Sequence, residues 1–411
     1  MTTTRPARSQ RPTDSPPRQR QPFTARVAVG RVFSAEHRNY FLLLGTTLFL
    51  VGFGLVMVLS ASSIESHVDE NSFFSEFQRQ GLYAALGVPL MLVASRMPPQ
   101  FWKRWAWPAV LVGSGMLVLV MIFGYGYGGN RNWIDVGSFS FQPSEFVKIA
   151  LVAWIAWVLS TKEHLLGDWK HVALPIGPVA LVAIGFVLIG NDLGTATIMI
   201  ALVLGCLYFA GVKLRFLVLT VSVLAVIGVM FAFTSDSRSQ RIMVWLNGCT
   251  ENDSSGLCWQ VEHGMWALAA GGVFGVGLGN SDTKWNWLPE ASNDFIFAII
   301  GEELGLIGAS VVLGLFIVLA ISFVRIIRSA RDNFTRIATG GIMIWIVGQA
   351  FVNIGVVLGV LPVLGVPLPF ISAGGSALIA TLLAVGVVLS FARDPDASAD
   401  SLDTPRPGRR Q

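Results

Sequence analysis

A chain of 411 residues that is 53% hydrophobic and only 13% charged, with a mean hydropathy of +0.62, has too little charge for a water-soluble globule, in which charged residues make up about a quarter. Its apolar runs suit helical spans of about 20 residues and lack the alternation of a transmembrane barrel, which predicts an all-α polytopic membrane bundle. The formal charge of +4 gathers in the tails and on one set of loops, so it gives no reason to expect a nucleic-acid partner.

In chain order, residues 1–39 are rich in Pro, Arg, Ser, Thr and Gln and are predicted to form a disordered cytoplasmic tail, either solvated or lying on anionic lipid. No cleavable leader is read, because the first apolar run is long enough to remain as an anchor. Ten spans are predicted within a membrane domain of residues 40–393. They are Tyr40–Ser60, Gly81–Ser95, Trp105–Phe123, Pro143–Ser160, Val172–Ile189, Leu193–Ala210, Leu214–Phe233, Phe295–Phe323, Ile337–Leu361 and Ile371–Phe391. Between the first two spans, the polar segment 61–80 is read as an outside loop. Lys162, Lys170, Lys213, Arg215, Arg325 and Arg328, among others, fall on one side. The positive-inside rule therefore places both tails in the cytoplasm and the large loop 234–294 outside. Residues 394–411 read as a second disordered cytoplasmic tail.

Four outside stretches carry residues suited to chemistry. In Gly124–Lys148, Arg131 and Asp135 flank Trp133, and Glu145 and Lys148 lie three apart at the start of the fourth span. That pair is either a structural ion pair or a substrate contact; the Arg131 fork suits a pyrophosphate oxygen. In NDLGTA at 191–196, Asp192 reads as the N-cap of the sixth span, the alternative being that this turn lines the site. The loop 234–294 holds Arg241, Lys284 and a glycine run, Gly271–Gly279, which has neither the ending nor the setting of a nucleotide-binding loop. Cys249 and Cys258 share this loop and, facing an oxidising exterior, suit a disulfide. Pro362–Ser376 breaks the helical pattern at membrane depth, where irregular backbone lines a cavity or is buried in protein; Ser372 and Ser376 there either bond a sugar or phosphate or belong to a plain kink.

The most telling stretch is Lys284–Gly305, KWNWLPEASNDFIFAIIGEELG. It places Asp294 where a polar loop meets an apolar helix, with Glu302 and Glu303 further along. Acids at a hydrocarbon boundary are costly and mark functional paths. A helix starting at Pro289 puts Glu290 and Asp294 four apart on one face. Desolvation and like charge then raise at least one pKa and make a better base near neutral pH. The plain alternative is an acid complementing the helix dipole.

The run PEASNDFIFAIIGEELG, with GNRNWIDVGSFSFQPSEFVKIAL at 129–151, NDLGTA at 191–196 and VPLPFISAGGSALI at 366–379, resembles the SEDS family of polytopic membrane proteins over about residues 40–392. These are the peptidoglycan polymerases of cell division, elongation and sporulation, and IIGEEL is closer to the division branch. The resemblance implies an inverting glycosyltransferase that polymerises lipid II at the outer face of the bacterial cytoplasmic membrane during septal synthesis. Asp294 is then the general base, with Arg131, Glu145, Lys148, Arg241, Lys284, Glu290 and Ser376 around the substrate. It also implies a class B penicillin-binding protein and other divisome membrane proteins as partners. A divalent cation, Mg or Mn, is a possible helper, although no metal-ligand cluster is visible. The rivals are a lipid II flippase, a noncatalytic scaffold and an elongation-type polymerase. The chain departs from the family pattern at Asn286, Leu364 and Ala373, which puts the roles of those positions in doubt.

Overall fold

The computed structural model describes residues 38–70, 72–127, 130–136, 139–232, 236–249, 256–285 and 287–393. The predicted tails therefore lie outside the described residues, apart from Arg38 and Asn39 at the start of the first helix. Asn286 also lies outside them. The helices are α1 (Arg38–Glu70), α2 (Ser75–Ala94), α3 (Pro99–Phe123), α4 (Pro143–Thr161), α5 (Trp169–Ile189), α6 (Leu193–Phe209), α7 (Leu214–Ala232), α8 (Asp236–Asn247), α9 (Leu257–Gly271), α10 (Ile296–Ser329), α11 (Asn333–Val357) and α12 (Ser376–Ala392). Their starts follow local chemistry. Pro99 and Pro143 open helices where a missing N–H costs nothing. Asp168, Asp192 and Asp332 cap α5, α6 and α11 by accepting a backbone N–H.

Six of these helices are long and apolar enough to cross a membrane, and Leu193–Phe209, Leu214–Met230 and Ser376–Ala392 are apolar but shorter. The centre of the bundle is α4, α11 and α12, whose side chains are buried for most of their length. By contrast, α3, α5 and α7 leave large apolar residues such as Leu111, Leu181 and Met230 exposed, as surfaces facing lipid do.

Three features differ from the sequence reading. The segment 61–80 is not a loop: α1 runs on to Glu70 and α2 starts at Ser75. The segment after α3 adds a small antiparallel sheet to the all-α bundle, in the order β1 (Tyr125–Tyr127), β2 (Asn130–Val136), β3 (Phe139–Phe141). The loop 234–294 contains α8 and α9. The expected disulfide is present, joining Cys249 to Cys258 in the first turn of α9.

α10 is two helices merged across a break at Gly305, which has φ +68°. The glycine run packs into that break. Val276 N and Gly277 N donate to Glu302 O and Glu303 O, each at 3.0 Å, and Leu306 N donates to Gly272 O at 2.9 Å. The approach leaves no room for side chains, since a Cβ on Gly275 would lie 2.2 Å from Glu303 O. The run is thus a backbone splint for a broken helix, and it satisfies polar groups that an interrupted helix leaves open.

Candidate active site

Asp294 sits in a run of turns ahead of α10. The predicted helix from Pro289 does not form, and α10 begins only at Ile296. Glu290 takes left-handed backbone, φ 56°, and its carbonyl accepts from Asn293 N at 3.0 Å and Phe295 N at 3.2 Å. The run Ser292-Asn293-Asp294 favours turns over a helix interior, and Asn293 Nδ2 donates to Glu290 Oε2 at 2.7 Å.

The turn is stitched to its neighbours through main-chain atoms, leaving the Asp294 carboxylate uncommitted to any of these bonds. Asn353 Nδ2 on α11 donates to Asp294 O at 2.7 Å and to Val366 O at 2.8 Å. Ser372 Oγ donates to Asn293 O at 2.7 Å, and Ala373 N donates to Ser292 O at 3.0 Å. From the loop side, Trp259 Nε1 on α9 donates to Trp287 O at 2.6 Å, and the two indoles stack with centroids 5.7 Å apart. Trp266, Trp285 and Trp287 remain more than half exposed. Glu290, Asn191 and Phe370, the non-glycine residues with positive φ among the described residues, all border this end of the bundle. Such strain costs about 1–3 kcal/mol per residue and clusters at functional sites.

The electrostatics converge on Asp294. Desolvation, then the Glu290 carboxylate and more weakly Asp192, push its pKa from 3.8 up to about 7, against the opposing pull of Arg241. The residue nonetheless keeps partial access to solvent. Arg241, on α8, donates to Val363 O at 3.1 Å. Burial lowers its guanidinium pKa, and Asp294 counteracts the change.

Asp192 caps α6 through Thr195 N at 2.8 Å and also accepts from Asn132 Nδ2 at 3.1 Å and Gln142 Nε2 at 3.2 Å. Its pKa is raised by desolvation, with Glu145 adding to the rise and Thr195 and Lys148 opposing it. Behind it, Lys148 Nζ donates to Glu145 Oε1 at 2.8 Å and to Gln349 Oε1 at 3.4 Å, and lies 4.5 Å from the Trp345 ring centroid. Glu145 Oε2 is buried without a hydrogen-bond partner. Ser376 Oγ accepts from Gln142 N at 3.0 Å, so it braces the start of α4. Arg131 lies on β2, with its side chain outside the described residues.

Asp294, Glu290, Arg241 and the Glu145–Lys148 pair are thus linked, with Asp192 joining the two groups. Lys284 is not brought to them. It is buried against Glu303, 3.4 Å away, beside Glu302. Gln349 and Asn353 are the members that sequence reasoning left out of the site, and Asp192 was read there first as a helix cap. Their signal was present: Gln349 and Asn353 are amides one helical turn apart in an apolar span, and polar groups there are costly unless used. Among the described residues, no three His, Cys, Asp or Glu side chains gather to hold a metal ion. A cavity of about 460 Å³ lined by Lys103, Trp157, Arg331 and Asp332 lies at the other end of α11, roughly 30 Å along the helix from Asn353. It plays no part in the Asp294 cluster.

A model of the FtsW, RodA and SpoVE family, described as "Cell cycle protein", matches residues 41–396. The probable peptidoglycan glycosyltransferase FtsW of Mycobacterium tuberculosis is 39% identical over 377 residues, covering 91% of this chain and 72% of that protein. Stage V sporulation protein E of Bacillus subtilis is 38% identical over 360 residues, covering 86% and 96%. Among solved structures, one on the structural coordination of polymerization and crosslinking by a peptidoglycan synthase complex contains a chain that aligns with TM-score 0.70 at 25% identity, over 85% of this chain and 96% of that one. The rod shape determining protein RodA of Thermus thermophilus aligns with TM-score 0.63 at 25% identity, over 86% and 96%.

Proposed function

The chain belongs to the FtsW, RodA and SpoVE family of membrane proteins, and from that premise we propose that it polymerises lipid II as an inverting peptidoglycan glycosyltransferase, with Asp294 as general base. The observation that supports Asp294 as the base is a carboxylate on the turn ahead of α10, set between Glu290 and Arg241, with burial and Glu290 raising its pKa to about 7. A base is most effective when its pKa lies near the working pH. Asp294 takes the proton of the acceptor's GlcNAc 4-hydroxyl as that oxygen bonds to the anomeric carbon of the donor's MurNAc. The bond from that carbon to the undecaprenyl diphosphate oxygen breaks, and the configuration inverts. The diphosphate is a good leaving group, so the reaction does without the second carboxylate that glycoside hydrolysis requires.

Arg241 faces the negative charge that develops on the diphosphate, and Arg131 on β2 is its proposed partner. Glu290 keeps Asp294 basic. Lys148 and Glu145 form a buried ion pair behind the site that fixes the start of α4, while Ser376 and Asp192 hold Gln142 in place. The proposed setting is the outer face of the cytoplasmic membrane at the division septum, with both termini inside, in complex with a class B penicillin-binding protein and other division proteins. The relatives named FtsW favour this branch over the elongation one. The test is purified protein supplied with lipid II and its transpeptidase partner. Asp294→Asn abolishes glycan-chain formation while leaving the complex intact; chains formed at the wild-type rate would show that another group is the base, and no chains from the wild-type complex would leave a scaffold or a flippase.

A further inference from the structure

The cluster that holds Lys284 has no part in the chemistry above, yet it is the most elaborate buried polar arrangement outside the cleft. Glu302 accepts from Ser281 Oγ at 2.5 Å, from Asp282 N at 3.0 Å and from Thr283 Oγ1. Glu303 lies 2.6 and 2.7 Å, through its two oxygens, from Ser60 Oγ on α1. Lys284 Nζ donates to Gly279 O at 2.5 Å and to Glu303 Oε1 at 3.4 Å. The lysine and Glu303 side chains are 5% and 0% exposed. Buried pairs of this kind contribute little net stability, because desolvation offsets their attraction, but losing one partner is costly and the geometry they impose is specific.

What the pair encloses gives it meaning. Lys284 and Glu303 are nineteen residues apart in sequence, and Asp294 lies midway between them. On one side the chain runs from Lys284 through the tryptophan stretch and the turns; on the other it returns as the first turns of α10 before the break at Gly305. We propose that the Lys284–Glu303 ion pair, anchored to α1 by Ser60, is a clasp closing the base of the loop that carries Asp294, and that these are positioning residues for polymerisation. The proposal rests on Asp294 as the base. It departs from the expectation that Lys284 binds the diphosphate: an ammonium buried against Glu303 and a backbone carbonyl faces the splinted break in α10.

The test uses full-length protein with its transpeptidase partner. Hydrogen exchange is read over residues 285–295, and kcat and KM are measured with lipid II. In Lys284→Met, exchange in that loop rises at least about tenfold while α11 and α12 stay protected. kcat falls about 100-fold, the scale of misplacing a reacting group by about an ångström, and KM stays within about twofold of wild type. The double variant Lys284→Met with Glu303→Gln leaves no uncompensated charge. It folds even where the single variant does not, and it shows the same loosened loop and low kcat. Unchanged loop exchange overturns the clasp, as does a looser loop with normal kcat. A raised KM at unchanged kcat and exchange would return Lys284 to the substrate. Because exchange is read without turnover, it decides the clasp even if Asp294→Asn shows that the base is another residue.

Discussion

Replacing Asp294 tests two consequences of one number. A carboxyl whose pKa rises from 3.8 to about 7 on folding has its ionised form disfavoured by roughly 4 kcal/mol, at about 1.4 kcal/mol for each pH unit. Between those values the folded protein binds a proton that the unfolded chain releases, so stability falls as pH rises through this window. Asp294→Asn removes the effect. The variant matches wild type near pH 4 and is more stable at pH 8, by at most roughly 4 kcal/mol because the wild-type side chain keeps some solvent access. Activity has the opposite sign. Only the ionised form accepts the proton, and it makes up about one tenth of the population at pH 6 and nine tenths at pH 8. The polymerisation rate on lipid II therefore rises about ninefold across that interval, with a midpoint near 7. Glu290→Gln removes a like charge and moves the acid limb to lower pH. Arg241→Gln moves it to higher pH and also lowers the plateau. A wild-type rate flat from pH 6 to 8, or a limb that ignores both substitutions, would refute the assignment.

Two further predictions concern the frame around the site. Lys148→Met leaves Glu145 buried without its cation and destabilises the protein by about 3–5 kcal/mol in detergent melts; adding Glu145→Gln restores most of that loss. Gly275→Ala drives a Cβ into Glu303 O at a position with φ +80° and abolishes the folded, monodisperse peak in size exclusion. Gly279→Ala, with φ +82° and open space around it, carries only the strain of left-handed backbone, about 1–2 kcal/mol.

Much of this architecture was legible because apolar runs of membrane length leave little choice of structure. Pro143 and Leu193 start helices where their proline and aspartate signals place them. The reading failed where polar composition was taken as loop. α1 carries its helix through Ser66 and Glu70, and α8 and α9 lie in a segment judged hydrophilic as a whole. The outer β-strands escaped notice because Tyr125–Tyr127 and Phe139–Phe141 are three residues each, too short for periodicity to register, and the seven-residue Asn130–Val136 was read only for its charged side chains. At the site, Asp294 was visible as an acid at an apolar boundary, but the helix drawn from Pro289 was not there: Glu290 adopts a conformation that local propensity does not announce. Long-range partners such as Asn353, which holds Asp294 O from α11, become visible only once the bundle is assembled.

The indoles around the Asp294 turn have a consequence for depth. Trp266, Trp285 and Trp287 present their rings outward, and exposed tryptophan settles at the level of lipid headgroups. Immersion of the loop would thereby be set like a float line, and the proposed chemistry requires that line to bring the carboxylate level with the phosphates of a polyprenyl diphosphate. On that proposal, donor and base meet in one plane of the bilayer, and the growing strand is shed into water without either having to travel.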